Sequence, residues 1–102
     1  MKLREIAHSR AGDKGNISNV SLIAKNEKDY ELLKKHVTAQ KVKLLYEGIV
    51  LGSVIRYELP SIGALNFVMH DALAGGVTRT LSLDIHGKSF SSILMGMEIP
   101  DT

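Results

Sequence analysis

Three short stretches in which apolar and polar residues alternate constrain the fold of this chain most strongly. They cover positions 17–25, 53–59 and 80–86. A period of two puts every second side chain on one side of a strand, so each stretch predicts a strand with one buried face. The side chains expected to face inward are Val20, Leu22 and Ala24, then Ile55, Tyr57 and Leu59, then Leu81, Leu83 and Ile85. Arg56 and Glu58 are expected to point outward.

Between these strands, apolar residues recur with the period of a helix. Positions 28–37 predict one helix, and Thr38 is placed to cap the start of a second. Ser61 is expected to cap a third helix that runs to about Ala74 and is ended by two glycines. The apolar stripes of the three helices are Tyr30, Leu33 and Val37, then Val42, Leu45 and Ile49, then Leu65, Val68, Met69 and Ala72.

The two ends of the chain complete the pattern. Positions 3–9 predict a weak strand, 10–16 a polar loop, and the first strand is expected to form a hairpin with 17–25. A turn at 86–88 is expected to lead into a last strand over 90–99. The order β-β-α-α-β-α-β-β predicts an α+β fold, a ferredoxin-like two-layer sandwich whose sheet is mostly antiparallel and carries its helices on one face. With 102 residues the chain is too short for two sizeable cores, so 1–102 is expected to be one domain.

Several classes of protein are excluded by composition. The chain has no cysteine, which rules out disulfides, iron–sulfur clusters and thiolate zinc sites. It has no apolar run long enough to cross a bilayer, and no apolar stretch follows the charges of its first residues. The net charge of +2 is nearly balanced, so we expect no nucleic-acid partner and no membrane partner. A cytoplasmic location fits these features.

The first group of candidate functional residues lies in the polar segment 10–16. Arg10 has the planar fork that binds carboxylate or phosphate, Lys14 adds a second positive charge, and Asp13 can accept a proton. Gly12 and Gly15 would let backbone N–H groups approach an anion. The alternative is an ordinary hairpin in which Asp13 pairs with Arg10 or Lys14.

The second group lies in the predicted third helix and just after it. Asn66 and His70 are four residues apart and share one face, where His70 could act as a general acid or base and Asn66 could hold a substrate oxygen. Arg79 follows the glycines Gly75 and Gly76. The alternative is a structural role for His70, which is the commoner role of a lone helical histidine.

These residues predict one site if both segments meet at the same end of the sheet. His70 and Asp13 are then the catalytic candidates, and Arg10, Lys14, Asn66 and Arg79 would bind an anionic small molecule. The alternative is that Asp13 pairs with Arg10 or Arg79 and only pins the loops together. A metal site built from His8, His70, Asp84 and His86 is disfavoured because no two of the histidines have ligand spacing. No cofactor is indicated.

Four segments of the chain together resemble one known family. They are Ala7-His8-Ser9-Arg10-Ala11-Gly12-Asp13-Lys14-Gly15-Asn16, Tyr57-Glu58-Leu59-Pro60, Ala64-Leu65-Asn66-Phe67, and Gly75-Gly76-Val77-Thr78-Arg79-Thr80-Leu81. They are similar to the C-terminal ferredoxin-like domain of the acyclic terpene utilisation (AtuA) family, over nearly the whole chain. The family is associated with the breakdown of acyclic terpenes such as citronellol and geraniol, and has many members outside that pathway.

The resemblance implies that this domain works with a larger one. In most relatives it follows a large N-terminal domain, so a short chain is expected to dock on a separately encoded large subunit. The first hypothesis is therefore a small subunit or accessory domain of a metabolic enzyme acting on an acid or acyl-CoA. The alternatives are a purely structural assembly module and a free-standing enzyme or ligand binder. We also expect a homo-oligomer, with contacts from strand positions Ile23, Ile93 and Met95 or Met97.

Overall fold

Two β-hairpins lying side by side form the sheet in the computed structural model of the protein. The structure describes residues 1–14, 17–47, 50, 52–70 and 88–101, with the backbone alone at 13, 14, 88–90 and 92. The strands are β1 (Ala7–Lys14), β2 (Ile17–Ala24), β3 (Val54–Leu59) and β4 (Ala64–His70). All neighbours are antiparallel, in the order β1-β2-β4-β3. Single 3-10 turns cover Leu3–Glu5, Glu27–Asp29 and Pro60–Ile62.

Three helices within the described residues lie on one face of this sheet. They are α1 (Tyr30–His36), α2 (Ala39–Leu45) and α3 (Lys88–Met95). Their buried side chains join those of β2 and β4 in one core, which includes Val20, Leu22, Leu33, Val42, Leu65, Phe67, Met69 and Leu94. The α+β architecture with an antiparallel sheet and helices on one face is therefore confirmed. No helix of the described part is long and apolar enough to cross a membrane.

The two helices after β2 follow the predicted periodicity. Tyr30, Leu33 and Val37 are all buried. Thr38 caps α2 as expected, since its Oγ1 accepts a hydrogen bond from the Lys41 backbone N–H at 3.2 Å. This satisfies one of the amide donors that a helix start leaves without an internal partner.

The first strand begins and ends later than predicted. Positions 3–5 form a 3-10 turn instead, and most of the predicted loop 10–16 belongs to β1, which pairs with β2 from Ala7 opposite Ala24 to Lys14 opposite Ile17. The hairpin with 17–25 is confirmed. Pairing with β2 holds the polar residues of β1 in extended backbone, because the ladder satisfies their backbone groups whatever their side chains prefer.

The predicted helix over 61–74 is wrong for the part that the structure describes. Ser61 lies in a 3-10 turn, and positions 64–70 form β4, which pairs with β2 on one side and β3 on the other. Leu65, Phe67 and Met69 are buried in alternation, a period of two that competes with the helical stripe in the same sequence. Pairing with β2 and β3 on its two sides favours the strand over the helix for this segment.

The faces of β3 are the reverse of the predicted ones. Ile55, Tyr57 and Leu59 are 40%, 51% and 39% exposed, whereas Arg56 turns toward the helices. Its guanidinium donates to the carbonyl oxygens of Lys34 at 2.7 Å and Val37 at 3.0 Å. The reversal follows from the position of β3 at an edge of the described sheet, because an edge strand need not bury its apolar side. Arg56 also has carbonyl partners at the end of α1, which hold it on the helix side.

The predicted strand over 90–99 is a helix for most of its length. The backbone of α3 covers Lys88–Met95. Leu94 is wholly buried in the core, and Met97, just after the helix, packs against the same core. Ile93, Met95 and Met97 pack against that core and are not exposed strand positions, whereas Ile23 does lie on β2. The predicted strand over 80–86, with Leu81, Leu83 and Ile85, the turn at 86–87 and the stop at Gly75 and Gly76 lie outside the described residues.

Candidate binding site on the open sheet face

The face of the sheet that points away from the helices carries three of the six candidate site residues, Arg10, Asn66 and His70. The cross-strand register together with burial assigns its positions. We name it the open face, and its described members are His8, Arg10, Gly12, Ile17, Asn19, Ser21, Ile23, Asn66, Val68, His70, Ile55, Tyr57 and Leu59. The opposite positions on β2 and β4 supply the buried core residues, since side chains alternate across a strand.

One straight line of polar side chains crosses the open face from edge to edge. Arg10 lies opposite Ser21, Ser21 opposite Asn66, and Asn66 opposite Tyr57. We name these four residues the polar row. The Asn66 side-chain Nδ2 donates to Ser21 Oγ at 3.1 Å, which fixes the amide in the middle of the row. With strands about 4.8 Å apart, the Cα atoms of Arg10 and Asn66 are about 10 Å apart.

Arg10 is the charged end of the polar row. It is exposed and has no ion-pair partner within the described residues. A guanidinium offers a planar fork of N–H donors that matches a carboxylate or a phosphate. Beside it, the Asn66 amide and the Ser21 and Tyr57 hydroxyls can donate or accept hydrogen bonds. The row therefore offers one cation and several neutral hydrogen-bonding groups, which suits it to binding an anion.

The cross-strand pair next to the polar row on the open face is Gly12 and Asn19. Gly12 lies opposite Asn19, and a Cβ built at Gly12 would lie 3.4 Å from Asn19 Nδ2. Because Gly12 has no side chain, the Asn19 amide has room to lie close over β1, two residues along the strand from Arg10. This places a second amide on the same face as the row.

The described charges of the open face are of one sign. Within the described strands, no Asp or Glu occupies a position on this face, whereas Arg10 does. Glu58 lies on the other side of β3 and pairs with Arg56 at 2.8 Å. An anion that approaches the polar row therefore meets no carboxylate among the described side chains of this face.

Apolar side chains flank the polar row. Ile55, Tyr57 and Leu59 on β3 and Ile17 on β2 are each 39–51% exposed. Large exposed apolar side chains gathered on one face are typical of a surface that is covered when a partner or ligand binds. Among the described side chains, the open face therefore combines an exposed arginine, Arg10, with apolar contact area.

His70 lies on the open face but away from Arg10. It is four residues beyond Asn66 on β4, about 13 Å along the strand. Its Nδ1 is 3.3 Å from Ser53 Oγ, and its backbone is bonded to Ser53 and Gly52. Asn66 and His70 share a face as the sequence predicts, although by the period of a strand instead of that of a helix.

The other predicted site residues are described only in part or not at all. Asp13 and Lys14 pair with Ser18 and Ile17 in the ladder, and their side chains lie outside the described residues. Arg79, Asp84 and His86 also lie outside them. Among the residues that are described, no group of three or more His, Asp or Glu side chains is arranged to hold a metal ion.

Sequence reasoning missed Ser21, Tyr57 and Ser53. Ser21 falls on the polar side of the alternation over 17–25, so that pattern was the available signal for it. Tyr57 was predicted to face inward. Ser53 could not be found from the sequence, because its contact with His70 depends on the pairing of β3 with β4.

Comparison with known proteins identifies one family. The family model for the AtuA ferredoxin-like domain matches residues 1–100. No curated protein and no solved structure gives a significant match. The match covers every element described above, including both hairpins that carry the polar row.

Proposed function

Because this chain belongs to the AtuA ferredoxin-like domain family, we propose that it is an accessory domain or small subunit of an AtuA-type metabolic enzyme. Its open face contributes an anion-binding surface to a larger partner. The substrate is an acyclic terpenoid or a related acid or acyl-CoA, and the compartment is the cytoplasm. The observation that carries the proposal is the alignment of Arg10 and Asn66 in one polar row, on a face where no described side chain is a carboxylate.

The charge pattern supports an anion as the ligand. An exposed arginine is attracted only weakly to an anion in water, but the interaction strengthens when a partner covers the site and lowers the local dielectric. The open face has the features that such covering needs, because apolar side chains surround the row. The row supplies binding groups, and the bond-making groups would come from the larger partner.

A titration tests the anion-binding part of the proposal. Hexanoate and inorganic phosphate, added separately to isotopically labelled protein, are expected to shift the amide resonances of Arg10, Ser21 and Asn66. Arg10→Ala should abolish the response, because it removes the described charge of the row. Arg4→Ala is the matched control, since Arg4 is an exposed arginine in the 3-10 turn at Leu3–Glu5. Equal responses from both variants would contradict the proposal.

The alternative function is a purely structural module that assembles the larger partner. It is favoured by the exposed Ile55, Tyr57 and Leu59, which fit a protein contact with no ligand in it. The two functions separate in the assembled enzyme. A binding role predicts that Arg10→Ala and Asn66→Ala lower turnover while the complex still forms. A structural role predicts that they weaken the complex and leave the turnover of each assembled molecule unchanged.

A further inference from the structure

The β3 strand has an unpaired side within the described part of the chain. It pairs with β4 and with no other described strand. The His70 N–H donates to the Ser53 carbonyl at 2.9 Å, so residue 53 directs its backbone groups toward β4. The direction of the backbone N–H and C=O groups alternates along a strand. Val54, Arg56 and Glu58 therefore direct these groups away from β4, in the plane of the sheet.

Within Val54–Leu59 this edge has no proline and no bulge, two of the devices that blunt natural edge strands. It does carry one inward charge, Arg56, which Glu58 pairs at 2.8 Å. Three exposed apolar side chains alternate along it, Ile55, Tyr57 and Leu59. Within the described residues, the edge is therefore able to accept another strand.

We propose that the occupant is β3 of a second copy of this chain, paired antiparallel about a two-fold axis at Tyr57. Each Arg56 then lies opposite the partner's Glu58, and each Ile55 opposite the partner's Leu59. The two four-stranded sheets join into one continuous sheet.

Charge and backbone direction select this register. Arg56 and Glu58 both direct backbone groups outward, so these two pairs form the hydrogen-bonded pairs of the new ladder. Centring the axis on Arg56 would oppose two arginines, and like charges directly opposite are destabilising. Centring it on Glu58 would oppose two glutamates and would pair Arg56 with Pro60, which has no N–H. Only the axis at Tyr57 places unlike charges together.

Side chains on both faces are complementary in this register. On the helix side, the existing Arg56–Glu58 pair at 2.8 Å meets its copy and makes a network of four charges. On the open face, Tyr57 meets the partner's Tyr57 between two aliphatic pairs, which are favourable cross-strand neighbours. The two polar rows become collinear, with Arg10 and the partner's Arg10 about 33 Å apart across the joined sheet. The inference does not depend on the proposed function.

Disulfide trapping tests the register, because the chain has no cysteine of its own. Tyr57→Cys places two thiols across the axis in a non-hydrogen-bonded pair, within disulfide range, and should oxidise to a covalent dimer. Ile55→Cys should not, because residue 55 lies about 13 Å from its copy. A mixture of Ile55→Cys and Leu59→Cys should cross-link. Ile17→Cys, a control of 41% exposure on the same face, should form no disulfide-linked dimer.

Sedimentation equilibrium tests the dimer without cross-linking. The weight-average mass of the unmodified protein should rise toward twice the monomer mass as concentration rises. Glu58→Lys should weaken the dimer about tenfold, since both unlike pairs become like pairs. Mixing Ile55→Glu with Leu59→Lys should restore association, because these positions face each other. Urea unfolding of each variant checks that the monomer is intact.

Three results would overturn the inference. One is a monomer at all concentrations up to the millimolar range. Another is cross-linking of Ile55→Cys as readily as Tyr57→Cys, which would indicate a different register. The third is a Glu58→Lys variant that folds normally and associates as strongly as the unmodified protein.

Discussion

At the scale of single residues, Arg56 links β3 to the end of α1 through side-chain hydrogen bonds. It gives two hydrogen bonds to carbonyls at the end of α1 and one to Glu58. We expect Arg56→Met, which keeps the apolar stem, to lower the free energy of unfolding by at least about 2 kcal/mol, because even one hydrogen bond to a charged group is worth about 1.5–3 kcal/mol. Urea unfolding measures this loss.

Lys34→Ala is the matched control for Arg56. Lys34 makes only a surface ion pair with Glu31 at 3.4 Å and lies 5.7 Å from the Tyr30 ring centre. Such pairs contribute about 0–1 kcal/mol. A loss in Lys34→Ala as large as the loss in Arg56→Met would show that Arg56 has no special role.

Tyr46 is expected to make stability fall in alkaline solution. Burial raises the pKa of Tyr46 above its ordinary value of 10.0, against a smaller lowering by a backbone hydrogen bond with Leu94. Above pH 10 the unfolded chain therefore holds fewer protons than the folded chain. The stabilisation that the buried, protonated Tyr46 contributes is fully present below pH 10. Above pH 10 the free energy of unfolding falls as the pH rises, by at most about 1.4 kcal/mol per pH unit.

The Tyr46→Phe variant isolates this effect. Urea unfolding between pH 8 and 11 should give a shallower decline above pH 10 for the variant than for the unmodified protein. At neutral pH the variant should lose about 1 kcal/mol for the hydrogen bond. Parallel curves above pH 10 would show that Tyr46 does not ionise on unfolding.

At the scale of elements, the turn between β3 and β4 depends on one glycine. Gly63 has φ +62° and ends the 3-10 turn, and its carbonyl accepts a hydrogen bond from the Ala24 N–H at 2.9 Å. We expect Gly63→Ala to cost about 1–2 kcal/mol, because left-handed backbone is unfavourable for a residue with a Cβ. The Cβ itself has room, with its nearest neighbour at 3.9 Å.

Gly63→Asn and Gly12→Ala separate backbone strain from crowding. Asparagine adopts left-handed backbone more readily than alanine, so Gly63→Asn should recover part of the loss. Gly12 has ordinary backbone and a Cβ contact at 3.4 Å, so Gly12→Ala should cost less than Gly63→Ala. Thermal unfolding of the three variants gives the order, and the reverse order would make crowding the dominant cause.

The elements also show where sequence patterns were sufficient. β2, α1 and α2 were predicted because each has one clear period and, in α2, a capping threonine. β4 and α3 were not. Positions 64–70 fit both periods, and their strand form depends on β2 and β3, which are distant in sequence. Positions 90–95 belong to α3, which packs around Leu94, and no local signal opposed a strand there.

At the scale of the whole molecule, the candidate site was only half visible in the sequence. Arg10 and Asn66 could be named from their chemistry and their family motifs. Their common face could not be derived, because it follows from the pairing of β2 with β4, whose bonded side chains Ser21 and Asn66 are 45 positions apart. The proposed helical face for Asn66 was wrong, yet the shared face with His70 remained.

Hydrogen exchange should map the sheet order onto local stability. β2 and β4 have neighbours on both sides, whereas β1 and β3 are at the edges of the described sheet. We expect the amides of β2 and β4 to exchange slowest, since central strands open only in global unfolding. The outward amides of Arg56 and Glu58 should exchange more slowly at high protein concentration if β3 pairs with its copy. Equal rates in all four strands would contradict the order.

The joining of two hairpins through β2 and β4 has a consequence for synthesis on the ribosome. The β1–β2 hairpin is complete long before its second neighbour exists, because Asn66 follows Ser21 by 45 residues. At about 5–20 residues per second, translation takes roughly 2–9 s to cover that interval. Throughout it the Val20 and Leu22 side of the hairpin lacks Leu65, Phe67 and Met69, the part of the core that β4 supplies. The nascent chain therefore has a period of exposure in which a chaperone, or another nascent copy, competes with β4 for the same strand.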